Sequence, residues 1–181
     1  SDLETGFGPP SSDRYMPIVK RNTTSGEFEV REQELAGYER PLNPALPLGG
    51  QGLHSTLNDY TRFCRMMLNG GELDGNRVLS ERTVDFITQN QVGPGIQIDN
   101  PGFGIGFGMT DPVETSRGLR GGERMGWGGA ASTFFFIDPA TDVSAVFFTQ
   151  QFPYNSQLGI GFHNAVLESL SELEEETTFN N

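Results

Sequence analysis

A serine that transfers acyl groups needs a base within reach of its hydroxyl, and a lysine three residues further along a helix meets that need in one turn. The chain holds a single lysine, Lys20, with Pro17 three residues before it, so it contains no Ser-x-x-Lys. It has no Gly-x-Ser-x-Gly elbow either, and no tyrosine is followed two positions later by asparagine. His54 and His163 remain as bases, but no serine or acid near them in sequence marks a partner. A lone histidine of this kind is more often a surface or packed residue than a catalyst. Cys64 is the only cysteine, which excludes an intrachain disulfide and any multi-cysteine metal site. It falls on the apolar side of a predicted helix and reads as a packing residue rather than a nucleophile.

The stretch with positive content is Gly126-Trp127-Gly128-Gly129-Ala130, just ahead of a Phe-rich strand. Glycines there let a ligand lie against extended backbone, and the indole offers a flat apolar wall with one donor. Taken locally, a packed Trp at a strand end beside a turn is the simpler reading.

The elements that must position these residues follow from periodicity. Leu57, Tyr60, Phe63, Cys64, Met67 and Leu68 recur at helical spacing and Asn69-Gly70-Gly71 supplies a stop, which predicts a helix over 56–69. After a turn at 72–76, Ser80 caps a second helix carrying Val84, Phe86 and Ile87, and a Gly/Pro-rich loop follows Asn90. Residues 103–109 alternate large side chains with glycine, predicting one strand with Phe103, Ile105, Phe107 and Met109 on a single face. The runs 133–137 and 143–149 are β-rich and joined by a turn, hence a buried antiparallel hairpin. Leu158 to Leu170 predict a closing helix over 156–173, with a frayed tail beyond its acidic end. Residues 1–50 are loop-rich with short strands, 51–100 form a helical segment, and 101–181 hold the antiparallel strands and the C-terminal helix.

With 24 acidic against 12 basic residues and a net charge of −12, the chain would repel phosphate backbones and anionic membranes, so neither nucleic acid nor membrane is an expected partner. No stretch reaches the roughly 18–20 apolar residues of a membrane span. The chain opens on an acidic Gly/Pro segment with no strand or helix before it, as an excised piece would.

Residues 49–71, from Gly49 to Gly71, resemble a segment shared by the β-lactamase-like serine hydrolases, a group that includes class C β-lactamase-type esterases and penicillin-binding-protein relatives. Glu72 to Ser80, Gly102-Phe-Gly-Ile-Gly-Phe-Gly108, Gly126-Trp-Gly-Gly129 and Phe136-Ile-Asp-Pro139 follow in the family's order, and Leu3-Glu-Thr-Gly-Phe7 matches its stretch after the central helical region. Residues 8–48 match loosely. The resemblance implies that Trp127-Gly128-Gly129 stands where penicillin-binding relatives carry Lys-Thr-Gly, on the edge strand of the cleft. It also implies that Ala130 lends its backbone N–H to the oxyanion hole. With Trp in place of Lys, recognition of a β-lactam carboxylate loses a cation. Esterase-type members share this Trp, which favours ester hydrolysis.

The resemblance further implies an α/β (α+β) chain, the C-terminal part of a β-lactamase/transpeptidase-like fold in which an antiparallel sheet of three strands is flanked by helices. The family's Ser-x-x-Lys and Tyr-x-Asn lie upstream of the segment matching residue 1, so the nucleophile would come from an N-terminal half or a complementary chain, and this chain alone would be inactive. Its substrate would be a small ester or amide, no metal or organic cofactor is implied, and a periplasmic or secreted location follows by resemblance. An exposed strand edge would favour self-association. The rival expectation is a non-catalytic binding or scaffolding module that retains the fold.

Overall fold

The computed structural model describes residues 4–7, 16–31, 34–35, 38–39, 50, 53–93, 96, 102–109 and 124–179. Most of the Gly/Pro-rich loop after Asn90 lies outside these residues.

Short strands come first: β1 (Gly6–Phe7), β2 (Ile18–Arg21), β3 (Phe28–Arg31), β4 (Glu34–Leu35), β5 (Tyr38–Glu39) and β6 (Leu53–His54). Helix α1 (Leu57–Leu68) begins at Thr56, whose hydroxyl accepts from the Asp59 N–H at 3.1 Å. The Asp59 carboxylate in turn accepts from Glu4 N–H at 2.8 Å and Thr5 Oγ1 at 3.1 Å, tying the helix start to the strand pair β1–β6. Gly70 at φ 58° and Gly71 at φ 94° end α1 in a conformation that a side chain disfavours. The strands β7 (Glu72–Leu73) and β8 (Asn76–Arg77) then form a hairpin. Its Asp74-Gly75 tip takes positive φ at both residues, the geometry that matches strand twist in two-residue loops. Ser80 caps α2 (Glu81–Thr88) by accepting from Thr83 N–H at 3.1 Å.

The central sheet has five antiparallel strands rather than the expected three. Its order is β13 (Val143–Phe147), β12 (Phe134–Asp138), β11 (Met125–Gly128), β10 (Gly108–Met109), β9 (Gly102–Phe103). The single strand expected over 103–109 is a hairpin instead. Gly106 adopts φ 86°, Gly104 N–H donates to Phe107 O at 2.8 Å, and Ile105 N–H is captured by Ile87 O at the end of α2, also at 2.8 Å. The chain therefore folds back, and Ile105 is exposed while Phe107 and Met109 are buried. A separate sheet joins β14 (Gln151–Phe152) in parallel to β2, with β3 beyond. Helix α3 (Ser156–Phe179) continues past the expected end at 173 and the anticipated fraying, since its Glu/Leu run favours helix.

Alternation along β12 builds two packed layers. Phe135 and Ile137 enter a core with Cys64, Met66, Met67, Val84, Phe107 and Met125, so α1 and α2 cover this face of the sheet. Phe134 and Phe136 point the other way, where His163 of α3 sits edge-on to the Phe136 ring at 5.0 Å and Phe147 stacks on Phe162 at 5.2 Å. Gly159 lets α3 approach, because a Cβ there would meet the Phe134 ring at 3.1 Å. The result is an α/β sandwich, an antiparallel sheet with helices on both faces.

Candidate active site

The register fixes which way the residues of β11 point. Met125 pairs with Ile137 and Trp127 with Phe135, so Trp127 lies on the α1 face while Gly126 and Gly128 lie on the α3 face. Trp127 is nevertheless 47% exposed, unlike the buried residues of the α1-side core. Among the described residues its one ring neighbour is Phe103, edge-on at 5.1 Å and 84°.

The expectation of an edge strand needs refinement, because β11 lies inside the sheet. Its ladder with β10 runs only through Met125 and Gly126. Trp127 and Gly128 pair with β12 alone, so among the described residues the far end of β11 has an open side. At that end the chain turns: Ser132 N–H donates to Gly129 O and Gly129 N–H to Thr133 O, both at 2.9 Å. Ala130 occupies the exposed tip of this turn, while Ala131 and Ser132 are buried.

Sequence reasoning assigned the glycines to close approach by a ligand, and the geometry gives a different cause. A Cβ on Gly126 would collide with the Phe135 carbonyl of the neighbouring strand, and one on Gly129 with Thr133 Oγ1. At Gly128 it would lie 3.1 Å from the hydroxyl of Tyr154. The protein's own atoms therefore fill the space that these glycines leave, and the apolar wall on the α1 side consists of Trp127 with Phe103. Tyr154, half exposed beside Gly128, has no sequence signal linking it to this strand, because the two meet only through the tertiary fold.

The histidines and the cysteine sit elsewhere. His163 lies among Phe134, Phe136 and Arg124, with 3.3 Å from its Nε2 to the guanidinium Nη1. His54 lies on β6, half-buried. Cys64 is fully buried, and burial pushes its thiol up to about 12, which keeps it protonated and unreactive at neutral pH. Among the described residues, no three His, Cys, Asp or Glu side chains gather to hold a metal ion, and no helix is long and apolar enough to cross a membrane.

An antiparallel sheet sandwiched between helices, with an open strand end and a glycine turn beside it, is the architecture of the β-lactamase/transpeptidase-like hydrolases. The Beta-lactamase family model matches residues 3–168, and the chain belongs to that family. Protein Rv1367c of Mycobacterium tuberculosis is 36% identical over 169 residues, covering 83% of this chain and 40% of its own length. Two solved structures share the fold. Simvastatin Synthase (LovD) from Aspergillus terreus matches with a TM-score of 0.64 at 20% identity, over 78% of this chain and 38% of that one. EstCE1, a hydrolase with promiscuous acyltransferase activity, matches with a TM-score of 0.61 at 24% identity, over 81% and 41%. The chain thus spans about 40% of the length of the relatives it matches.

Proposed function

We propose that this chain supplies the substrate wall and one oxyanion donor of a serine acyl hydrolase. Its Ser-x-x-Lys nucleophile would come from an N-terminal half of the same protein or from a complementary chain. The observation that carries this reading is the combination at the end of β11: a 47% exposed indole on a strand with one open side, leading into a turn whose tip is Ala130. An exposed indole offers a flat apolar face and one N–H donor, the kind of surface that a small ester can lie against.

In this reading the serine attacks the ester carbonyl and the lysine and tyrosine of the completing segment relay its proton to the leaving alcohol. The carbonyl oxygen, now carrying charge, rests on the Ala130 N–H and a second amide, and water then releases the acid. With Trp127 where a cation would meet a β-lactam carboxylate, small esters are preferred over β-lactams.

Hydrolysis of short p-nitrophenyl esters and of nitrocefin by the chain alone, and after addition of the completing segment, tests this. No turnover alone and ester turnover on completion are expected. A lack of turnover in both samples would favour a binding module, and turnover by the chain alone that is abolished by substituting one of its own residues would overturn the division of labour.

A further inference from the structure

Ser132 adopts φ 61°, a left-handed conformation that glycine takes freely and serine does not. It is also 2% exposed, so the hydroxyl is enclosed and must find partners within the protein. It has two. Ser132 Oγ donates to Gln151 O at 3.0 Å and accepts from Asn155 N–H at 2.9 Å. Gln151 is the first residue of β14 and Asn155 lies on the connection from β14 to α3, both about twenty residues along the chain.

Each end of this bridge is itself anchored. Gln151 pairs with Val19 in the separate β14–β2–β3 sheet, and Asn155 Oδ1 accepts from Gln157 N–H at 3.1 Å at the start of α3. Between them lies Tyr154, whose hydroxyl sits beside Gly128. At the other end, Ser132 N–H closes the turn onto Gly129 O, with Ala130 and Ala131 spanning the gap. The hydroxyl therefore joins the turn that carries the Ala130 amide to a segment fixed by two other elements. Strained backbone held by surrounding bonds is characteristic of sites where position matters more than local comfort.

We propose that Ser132 is a positioning residue: through Gln151 and Asn155 it locks the Gly129–Ser132 turn and so aims the Ala130 N–H at the substrate oxygen. This rests on the acyl-hydrolase reading above and adds a residue to it.

The test uses the protein completed by its Ser-x-x-Lys segment, with Ser132→Ala and Ser132→Gly. Both remove the hydroxyl; only the glycine variant relieves the backbone. Loss of an oxyanion donor costs a hundredfold or more in kcat, and a donor that is present but loosely held should cost less, about tenfold, with KM within about twofold. The glycine variant should lose kcat although it melts no lower than the alanine variant, a split that a purely structural serine would not produce. Amide exchange on the same proteins should accelerate at 129–133 and 151–155 and stay unchanged in α1 and β12. Unaltered kcat in a folded variant would overturn the proposal. So would exchange that is unchanged at the turn, or accelerated throughout the chain because the variant unfolds. If the unsubstituted protein hydrolyses no ester, the acyl-hydrolase reading fails, and exchange at 129–133 still decides whether Ser132 holds the turn.

Discussion

Arg124 and Asp138 face each other across the start of β11 and the end of β12, with 2.6 Å between Nε and Oδ2 and side-chain exposures of 5% and 1%. The same carboxylate uses Oδ1 to accept from Ala140 N–H at 3.0 Å, closing the turn into β13. One buried anion thus sets the register on one side and the turn on the other. Breaking a buried pair by removing one partner leaves the other charge uncompensated, at a cost of about 3–5 kcal/mol. Asp138→Ala should lower stability by that order in urea melts and exceed Asp138→Asn, which keeps an oxygen for the Ala140 amide.

The glycines of β11 should respond unequally. A Cβ at Gly126 meets strand backbone, which cannot move aside, so Gly126→Ala should cost about 1–3 kcal/mol or more. At Gly128 the obstacle is the Tyr154 side chain, itself 54% exposed and able to swing away. Gly128→Ala should therefore melt close to the unsubstituted chain. Equal losses at the two positions would show that Tyr154 is held as firmly as the sheet.

Trp127→Ala separates a cleft wall from a core residue. Truncating a buried aromatic costs about 3–5 kcal/mol, whereas a half-exposed ring that loses one edge-on partner should cost about 1 kcal/mol. In the completed protein the substitution should lower ester turnover and shift acyl preference. A large drop in melting temperature with an unchanged substrate profile would remove Trp127 from the site.

Alkaline pH should weaken the α1 core. Burial pushes the Cys64 thiol up from 9.0 to about 12, and burial, with a smaller contribution from Cys64, pushes Tyr60 up from 10.0 to about 12. Both groups stay protonated in the folded chain at a pH where the unfolded chain releases their protons. The stability they contribute is thus intact below about 9 and declines as pH rises toward about 12. Urea midpoints measured from pH 8 to 11 should fall, and Cys64→Ala should flatten the first part of that decline. The same enclosure predicts that thiol reagents leave Cys64 unmodified until the chain unfolds.

What could be read from the sequence was local or exhaustive. Helices α1 and α2 and the β12–β13 hairpin were legible because their signals are local: an apolar period with a glycine stop for α1, a serine cap for α2, and two β-rich runs joined by a turn for the hairpin. The absence of a Ser-x-x-Lys was legible because a chain with one lysine can be searched completely. The family was legible because its motifs keep their order along the chain. What only the tertiary structure decided depends on contacts between distant segments. Alternating glycines at 102–109 fit one strand as well as a hairpin, until Ile87 O takes the Ile105 N–H and the chain must reverse. The glycines at 126, 128 and 129 look like room for a ligand until Phe135, Tyr154 and Thr133 are seen to fill it. Ser132 carries no local signal at all. Its conformation is held by carbonyl and amide groups about twenty residues away, and a hydrogen bond across such a gap leaves no period or spacing in the sequence.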